Sequence, residues 1–263
     1  KNESKAFDWA RKAAEKGHAP SMVYVARALR DGLGVDPDPS AAVRWYEKLA
    51  VLPEQSVREI GQRDLYSILS RSICLPDEAN IELGIMYLSP KFDVVNAKRG
   101  EECLVKAWNE GGWIAAALEI GKAYLYGYAL PKSDIIAFEW FKRAYDSTIE
   151  DGLTDFEEEV CGWLAYCYEA GVGVQKDTQM AFATYKPGAD RGEQWAQLKL
   201  AIYFESGQGV ARDYQQAYFW ANIAASKGGE KACELRDRLE SKLTKSQIAE
   251  SQRWAAKWKP ATS

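Results

Sequence analysis

His18 is the one histidine in the sequence. Any Ser–His or Cys–His nucleophile pair would have to use it, and a zinc site with two histidines is impossible. His18 follows Gly17 between two predicted helices, where a surface polar residue is expected, and nothing beside it resembles a nucleophile elbow. The cysteines, Cys74, Cys103, Cys161, Cys167 and Cys233, are widely scattered and form no CxxC pair. Cys161 and Cys167 stand six apart, on different sides of one predicted helix. An odd count at such spacings argues against a disulfide framework or a metal site and for thiols used as apolar filling. Carboxylates run together at Glu157, Glu158 and Glu159. Consecutive helical positions point in different directions, so these do not converge on one substrate atom; a solvated helix start favoured by the helix dipole is expected. Gly-x-Gly pairs recur, but each lacks a third glycine and follows a helix rather than a strand, and no Walker loop occurs, so they are turn chemistry rather than a nucleotide cradle. The chain therefore reads as a non-enzyme, with no catalytic residue, no metal site and no cofactor.

Charge excludes further classes. Lysine and arginine total 34 against 38 acidic residues, a net charge of −4. No basic footprint for nucleic acid and no polybasic patch for an anionic membrane follows from that balance. The longest apolar candidate, Trp113 to Leu130, is interrupted by Glu119 and Lys122, so no membrane insertion is expected. Lys1 to Ala6 carries no signal-peptide pattern and falls inside a repeat unit, so the chain is expected to begin within a longer protein.

The elements that carry these residues repeat. A loop Gly-x-Gly-Val appears at Gly32 to Val35, Gly171 to Val174 and Gly207 to Val210, with a degraded copy at Gly127 to Leu130. Before each loop lies an aliphatic residue, then Gly or Ala, two residues, then an aromatic or leucine. The five copies are Val25-Ala26 to Leu29, Leu83-Gly84 to Tyr87, Ile120-Gly121 to Tyr124, Leu164-Ala165 to Tyr168 and Leu200-Ala201 to Phe204. Their spacings place them on one helical stripe, with the small residue admitting a neighbouring helix. After each loop comes a second helix of the form Ala-x-x-Trp-Tyr-x-Lys-Ala-Ala-x-x-Gly, opening at Ala6, Ala42, Gly100, Ala137, Ala181 and Ala217. Gly17, Gly111, Gly192 and Gly228 are expected to cap four of these in the left-handed conformation. A lone hairpin cannot bury both faces, so neighbours must stack.

The array is irregular at Pro53 to Pro76, whose middle, Gln55 to Ser72, still reads as a helix, and at an acidic linker, Ser147 to Asp155. Pro187 falls inside a second helix and is expected to bend or end it early. Residues 230–263 break the pattern. Thr244 with Gln247 forms a candidate capping box, and Trp254 and Trp258 should pack on the last hairpin as a structural cap. The expected organisation is a repeat array over 1–229 and capping helices over 230–263.

The Leu-Gly-x-x-Tyr stripe, the Gly-x-Gly-Val turn and the Ala-x-x-Trp-Tyr-x-Lys-Ala-Ala helix, recurring in fixed order, resemble the Sel-1-like repeat family of the tetratricopeptide superfamily. The resemblance implies an all-α fold, a right-handed α/α superhelix of about six hairpins of about 36 residues. It also implies a bacterial scaffold or adaptor that binds a protein or peptide partner on a concave surface lined by the first helices. A narrower form, an immunity protein sequestering a toxic enzyme, is known in the family, as are cysteine-rich relatives that act on β-lactams. The regularly paired cysteines of those relatives are missing here. Unpaired cysteines fit a reducing cytoplasm, whereas the resemblance tilts towards a periplasmic or exported protein.

Eight residues before the turn glycine, the units present Tyr24, Glu82, Glu119, Trp163 and Lys199, with Glu82 placed by the apolar stripe because Pro90 holds the glycine position. This column lies off the stripe and is expected to be exposed, making Tyr24 and Trp163 candidate interface aromatics. Tyr203, four before its glycine, and Tyr126 and Tyr128, flanking a turn, complete the candidate partner-binding set.

Overall fold

The computed structural model of the chain describes residues 2–52, 76–151 and 157–261. They form thirteen α-helices, with no strand among the described residues. The chain divides into two compact units, Lys1–Ser133 and Asp134–Ser263. The first holds α1 (Asn2–Glu15), α2 (Ala19–Asp31), α3 (Pro39–Ala50), α4 (Pro76–Leu88), α5 (Ala97–Gly111) and α6 (Ile114–Tyr126). The second holds α7 (Asp134–Asp151), α8 (Glu157–Ala170), α9 (Thr178–Arg191), α10 (Gln194–Ser206), α11 (Tyr214–Ala225), α12 (Glu230–Glu240) and α13 (Lys245–Lys257). None of these helices is long and apolar enough to cross a membrane.

One hydrogen bond closes every hairpin turn. The backbone N–H of the residue that opens the second helix donates to the carbonyl of the stripe residue nine positions earlier. These bonds are Asp38 to Leu29 (2.7 Å), Asn96 to Tyr87 (3.0 Å), Ser133 to Tyr124, Asp177 to Tyr168 and Asp213 to Phe204 (each 2.9 Å). Each joins a carbonyl that the helix end would otherwise leave orphaned to a donor outside the helix. Asp38, Asn96, Asp177 and Asp213 then turn their side chains onto the free amides of the next helix, at Ala41, Arg99, Gln179 and Gln215. Thus the turn with Pro90 in the glycine position and the degraded turn at Gly127 to Leu130 close as the regular ones do.

Glycine is needed twice in the regular turn. Gly207, at φ 73°, ends α10 by donating to the Tyr203 carbonyl. Gly209, at φ 67°, sits so close to the first turn of α9 that a Cβ would lie 2.0 Å from the Thr178 carbonyl oxygen. The turn of one hairpin therefore rests on the opening of the preceding second helix, which fixes the stacking register. Gly173 meets the Asp134 carbonyl and Gly34 the Glu3 carbonyl in the same way. Ala129 holds this place in the degraded turn, at φ 53°, a conformation costly for a residue with a Cβ.

The predicted stripes are the core. In the first unit Val25, Ala26, Leu83, Met86 and Tyr87 are buried with Tyr46 and Leu49 of α3. In the second, Leu164, Ala165, Leu200 and Ala201 pack with Tyr185 and Tyr218. The small residue earns its place at Gly84, where a Cβ would stand 2.3 Å from Leu104 Cγ. A larger residue there would push α4 and α5 apart.

Three details differ from expectation. The helix containing Pro187 does not end early: α9 runs to Arg191, where Gly192 caps it. Its last turn buries Gly188 and Ala189 and pairs Arg191 with Glu157, and these contacts outweigh one lost backbone donor. The left-handed cap of α5 is Gly112, at φ 62°, with Gly111 still helical. The first part of the acidic segment is helix, since α7 continues to Asp151, while 152–156 lie outside the described residues. The helix expected over Gln55 to Ser72 also lies outside them. At the C-terminus the Thr244–Gln247 capping box is present. Trp254 packs edge-on to Phe219 (centroids 6.5 Å apart) and Trp258 to Trp220 (6.2 Å).

Ala129→Gly is predicted to stabilise the chain by about 0.5–1 kcal/mol by relieving the left-handed strain. Gly209→Ala should cost at least ~2 kcal/mol, because backbone must move away from Thr178. Urea unfolding of both variants, monitored by circular dichroism, checks the opposite signs.

Candidate partner-binding face

The groups with possible reactivity are structural. His18 Nδ1 lies 2.7 Å from Ser21 Oγ, a bond inside the first turn of α2 that orients the residue preceding the helix. Cys161 and Cys167 are fully buried, and burial pushes both thiols up to about 12. Glu157 is not the solvated helix start expected from its neighbours. It is 1% exposed and paired with Arg191, because it shares one face of α8 with Val160, Cys161 and Leu164. Glu158 and Glu159 are exposed. Among the described residues, no group of three or more His, Cys, Asp or Glu is placed to hold a metal ion.

The outward face of the first helices is defined by two positions, eight and five residues before the turn glycine. They are three apart and so share one stripe. In the second unit they are Trp163 and Tyr166 on α8, and Lys199 and Ile202 on α10. Tyr166 and Ile202 are 44% and 43% exposed, and Lys199 is exposed with its ammonium 5.6 Å from the Tyr185 ring centroid. Trp163 is only partly exposed. Its ring stacks on buried Phe141 (5.3 Å, 9° between planes), meets Tyr166 edge-on at 6.3 Å, and its indole N–H reaches Glu159 Oε1 at 3.5 Å. Trp163 therefore belongs in part to the core, a correction to its expected exposure. Extending the column by three residues would have revealed Tyr166 and Ile202 from the sequence.

In the first unit Tyr24 is exposed, whereas the two acidic members of the column are engaged. Glu82 on α4 is ion-paired with Arg30 of α2, and Glu119 accepts from Lys122 at 2.8 Å within α6. Tyr126 and Tyr128 are both well exposed and stack on each other, with centroids 5.2 Å apart.

Tyr203 must be removed from the exposed set. It is 4% exposed, its hydroxyl donates to Glu169, and burial, then that hydrogen bond, push its phenol pKa up. The position four before the glycine faces inward in every regular unit: Ala28, Ala123 and Cys167 are buried too.

A polar tether recurs two residues before the turn glycine, and the sequence reading missed it. Arg30 of α2 pairs with Glu82 of α4, Glu169 of α8 accepts from Tyr203 of α10, and Glu205 of α10 accepts from Arg238 of α12 and from Lys242. Burial opposes the Glu205 carboxylate, but these two cations outweigh it and hold its pKa below the ordinary range. The C-terminal ends of α2, α8 and α10 are thus each joined to the next first helix of their own unit. The available signal was a charged residue two positions before each of the three Gly-x-Gly-Val turns, Arg30, Glu169 and Glu205.

Helical hairpins stacked through small residues define a helical-repeat solenoid. The Sel1 repeat model matches residues 1–18, 19–50, 114–148, 160–193 and 196–229, together more than half of the chain. This chain belongs to the Sel1 repeat family, whose members generally mediate protein–protein interaction. Two solved bacterial structures are similar to it. The Sel1 repeat protein from Oxalobacter formigenes matches with a TM-score of 0.57 at 20% identity, covering 95% of each chain. The protein c5321, a protective antigen of uropathogenic Escherichia coli strains with an SLR fold, matches with a TM-score of 0.56 at 21% identity over 98% of this chain. The present chain spans 56% of that protein's length. None of the curated proteins matches the sequence. The α4–α5 hairpin falls outside the matched residues, yet it has the same Asn96-to-Tyr87 closure.

In the folded protein at pH 8, Cys161 and Cys167 are predicted to resist iodoacetamide for hours, and to react within minutes once the chain is unfolded in urea. Mass spectrometry of the alkylated peptides checks this; prompt labelling of either thiol in the native state would contradict its buried position.

Proposed function

We propose that this chain is a non-catalytic scaffold that holds a partner protein or peptide along the exposed stripe of its first helices. The observation that carries the reading is the composition of that stripe: Tyr166 and Ile202 project apolar surface outward beside Lys199, and Tyr24 does so in the first unit. Tyrosine is among the residue types enriched at interface hot spots. Tyr126 and Tyr128 add a second aromatic surface beside a turn. Trp163 contributes from below, as the ring on which Tyr166 leans. Tyr24, Tyr166, Lys199 and Ile202 each stand on a helix whose opposite face is core, so the stripe is held without loop ordering, which lowers the entropic cost of binding.

The test compares the native chain with the double variant Tyr166→Asp/Lys199→Glu as baits in affinity capture. Equal melting temperatures first establish that the variant is folded. A partner retained by the native chain should be depleted at least about tenfold on the variant, equivalent to ~1.4 kcal/mol. Identical capture by both baits would overturn the assignment of this stripe. Trp163→Ala is unsuited to this purpose, since uncovering Phe141 should itself cost about 1–3 kcal/mol of stability.

A further inference from the structure

The second unit shows what one of its own grooves accepts. Between α9 and α11, Lys186 pairs with Asp190 at 2.5 Å and lies over the Trp220 ring at 5.8 Å. The chain's own tail lies against Trp220 and the last turn of α9. After α13, Trp258 adopts an extended, polyproline-like backbone (φ −67°, ψ 138°). Its ring meets Trp220 edge-on, and the Ala261 N–H donates to the Asp190 carbonyl at 2.8 Å. Pro260 lies between them along the chain, beside Gly192. An aromatic ring followed two residues later by proline thus fits a groove between consecutive second helices.

The same groove recurs between α1 and α3. Counted from the openings of the second helices, Arg11 and Glu15 stand where Lys186 and Asp190 do, and Trp45 stands where Trp220 does. Arg11 and Glu15 pair at 3.0 Å, as their counterparts do. Here the groove is a cleft of about 390 Å³, walled by Phe7, Arg11 and Glu15 on one side and by Arg44, Trp45 and Lys48 on the other. No described residue fills it. Its charge differs from that of the covered groove. The counterparts of Arg44 and Lys48 are Phe219 and Ile223, and the tail they accompany carries Lys257 and Lys259. Arg44 and Lys48 are exposed, and Lys48 lies 4.4 Å from the Trp45 ring centroid, which holds its charge over the cleft.

We propose that the α1–α3 groove binds an extended segment of a partner protein in which an aromatic residue is followed two positions later by proline and flanked by carboxylates. The ring seats on Trp45, as Trp258 seats on Trp220. The carboxylates meet Arg44 and Lys48, which would repel a basic segment such as the chain's own tail. This rests on the reading of the chain as a scaffold, but places a contact on its second helices rather than on the exposed stripe of the first.

Two fluorescein-labelled hexapeptides test it by anisotropy with the full chain at low salt. One is the tail sequence Ala-Lys-Trp-Lys-Pro-Ala, and the other is Ala-Glu-Trp-Glu-Pro-Ala. The acidic peptide should bind at least about tenfold more tightly, and replacing its tryptophan by alanine should abolish binding. Arg44→Glu/Lys48→Glu, two surface changes verified by an unchanged helical spectrum, should reverse the preference. Tyr166→Asp/Lys199→Glu should leave both affinities unchanged. Equal binding of the two peptides would point to the tail of a second copy and overturn the charge argument. A preference that survives the charge reversal, or is lost with Tyr166→Asp/Lys199→Glu, would place the peptide elsewhere and overturn the site. Failure of both peptides to bind rejects the groove but not the scaffold reading, which stands or falls on partner capture through the first-helix stripe.

Discussion

A backbone bond across nine residues sets the geometry of every hairpin here. A helix end leaves carbonyls without partners, and a helix start leaves amides without them. Joining the stripe carbonyl to the residue that opens the next helix satisfies one of each and leaves the pair of helices a single way to fold back. Because the carbonyl belongs to a stripe residue, closing the turn and burying Leu29, Tyr87 or Tyr168 are one event, and Tyr124 and Phe204 are half-buried in the same place. Side-chain chemistry in the loop can then vary. Pro90 and Ala129 interrupt the Gly-x-Gly pattern, and the closing bond is kept in both turns.

Fixing the hairpin also decides which residues are left for a partner. With the stripe inward and the small residue against the neighbouring helix, the positions eight and five before the turn lie off the core stripe, and Lys199 and Ile202 are exposed there. Near the C-terminal ends of α2, α8 and α10, polar tethers such as Arg30 to Glu82 bind one repeat to the next. A surface built this way is rigid at its base and polar along one margin.

The repeat, the helices and the core stripes were legible in the sequence because each depends on local spacing that recurs five times. Tyr203 was misplaced because its position was judged by residue type rather than by the register that also buries Ala28, Ala123 and Cys167. Trp163 looked like a free aromatic because its support, Phe141, lies on the preceding helix, twenty-two residues away. Glu157 looked solvated because it heads an acidic run, yet its pairing with Arg191 depends on how α8 meets the end of α9. Pro187 was overrated as a breaker because burial of the last helical turn is a tertiary effect that no local rule contains. Contacts between helices, rather than within one, account for these differences.

Native-state hydrogen exchange read by NMR tests the closing bond most directly. The amides of Asp38, Asn96, Ser133, Asp177 and Asp213 lie in loops or at helix starts, where exchange is ordinarily fast. If the bond governs the hairpins, all of them should be protected to the level of the core helix amides in their own unit. Exchange at the rate of exposed loop amides, while the helices stay protected, would contradict it.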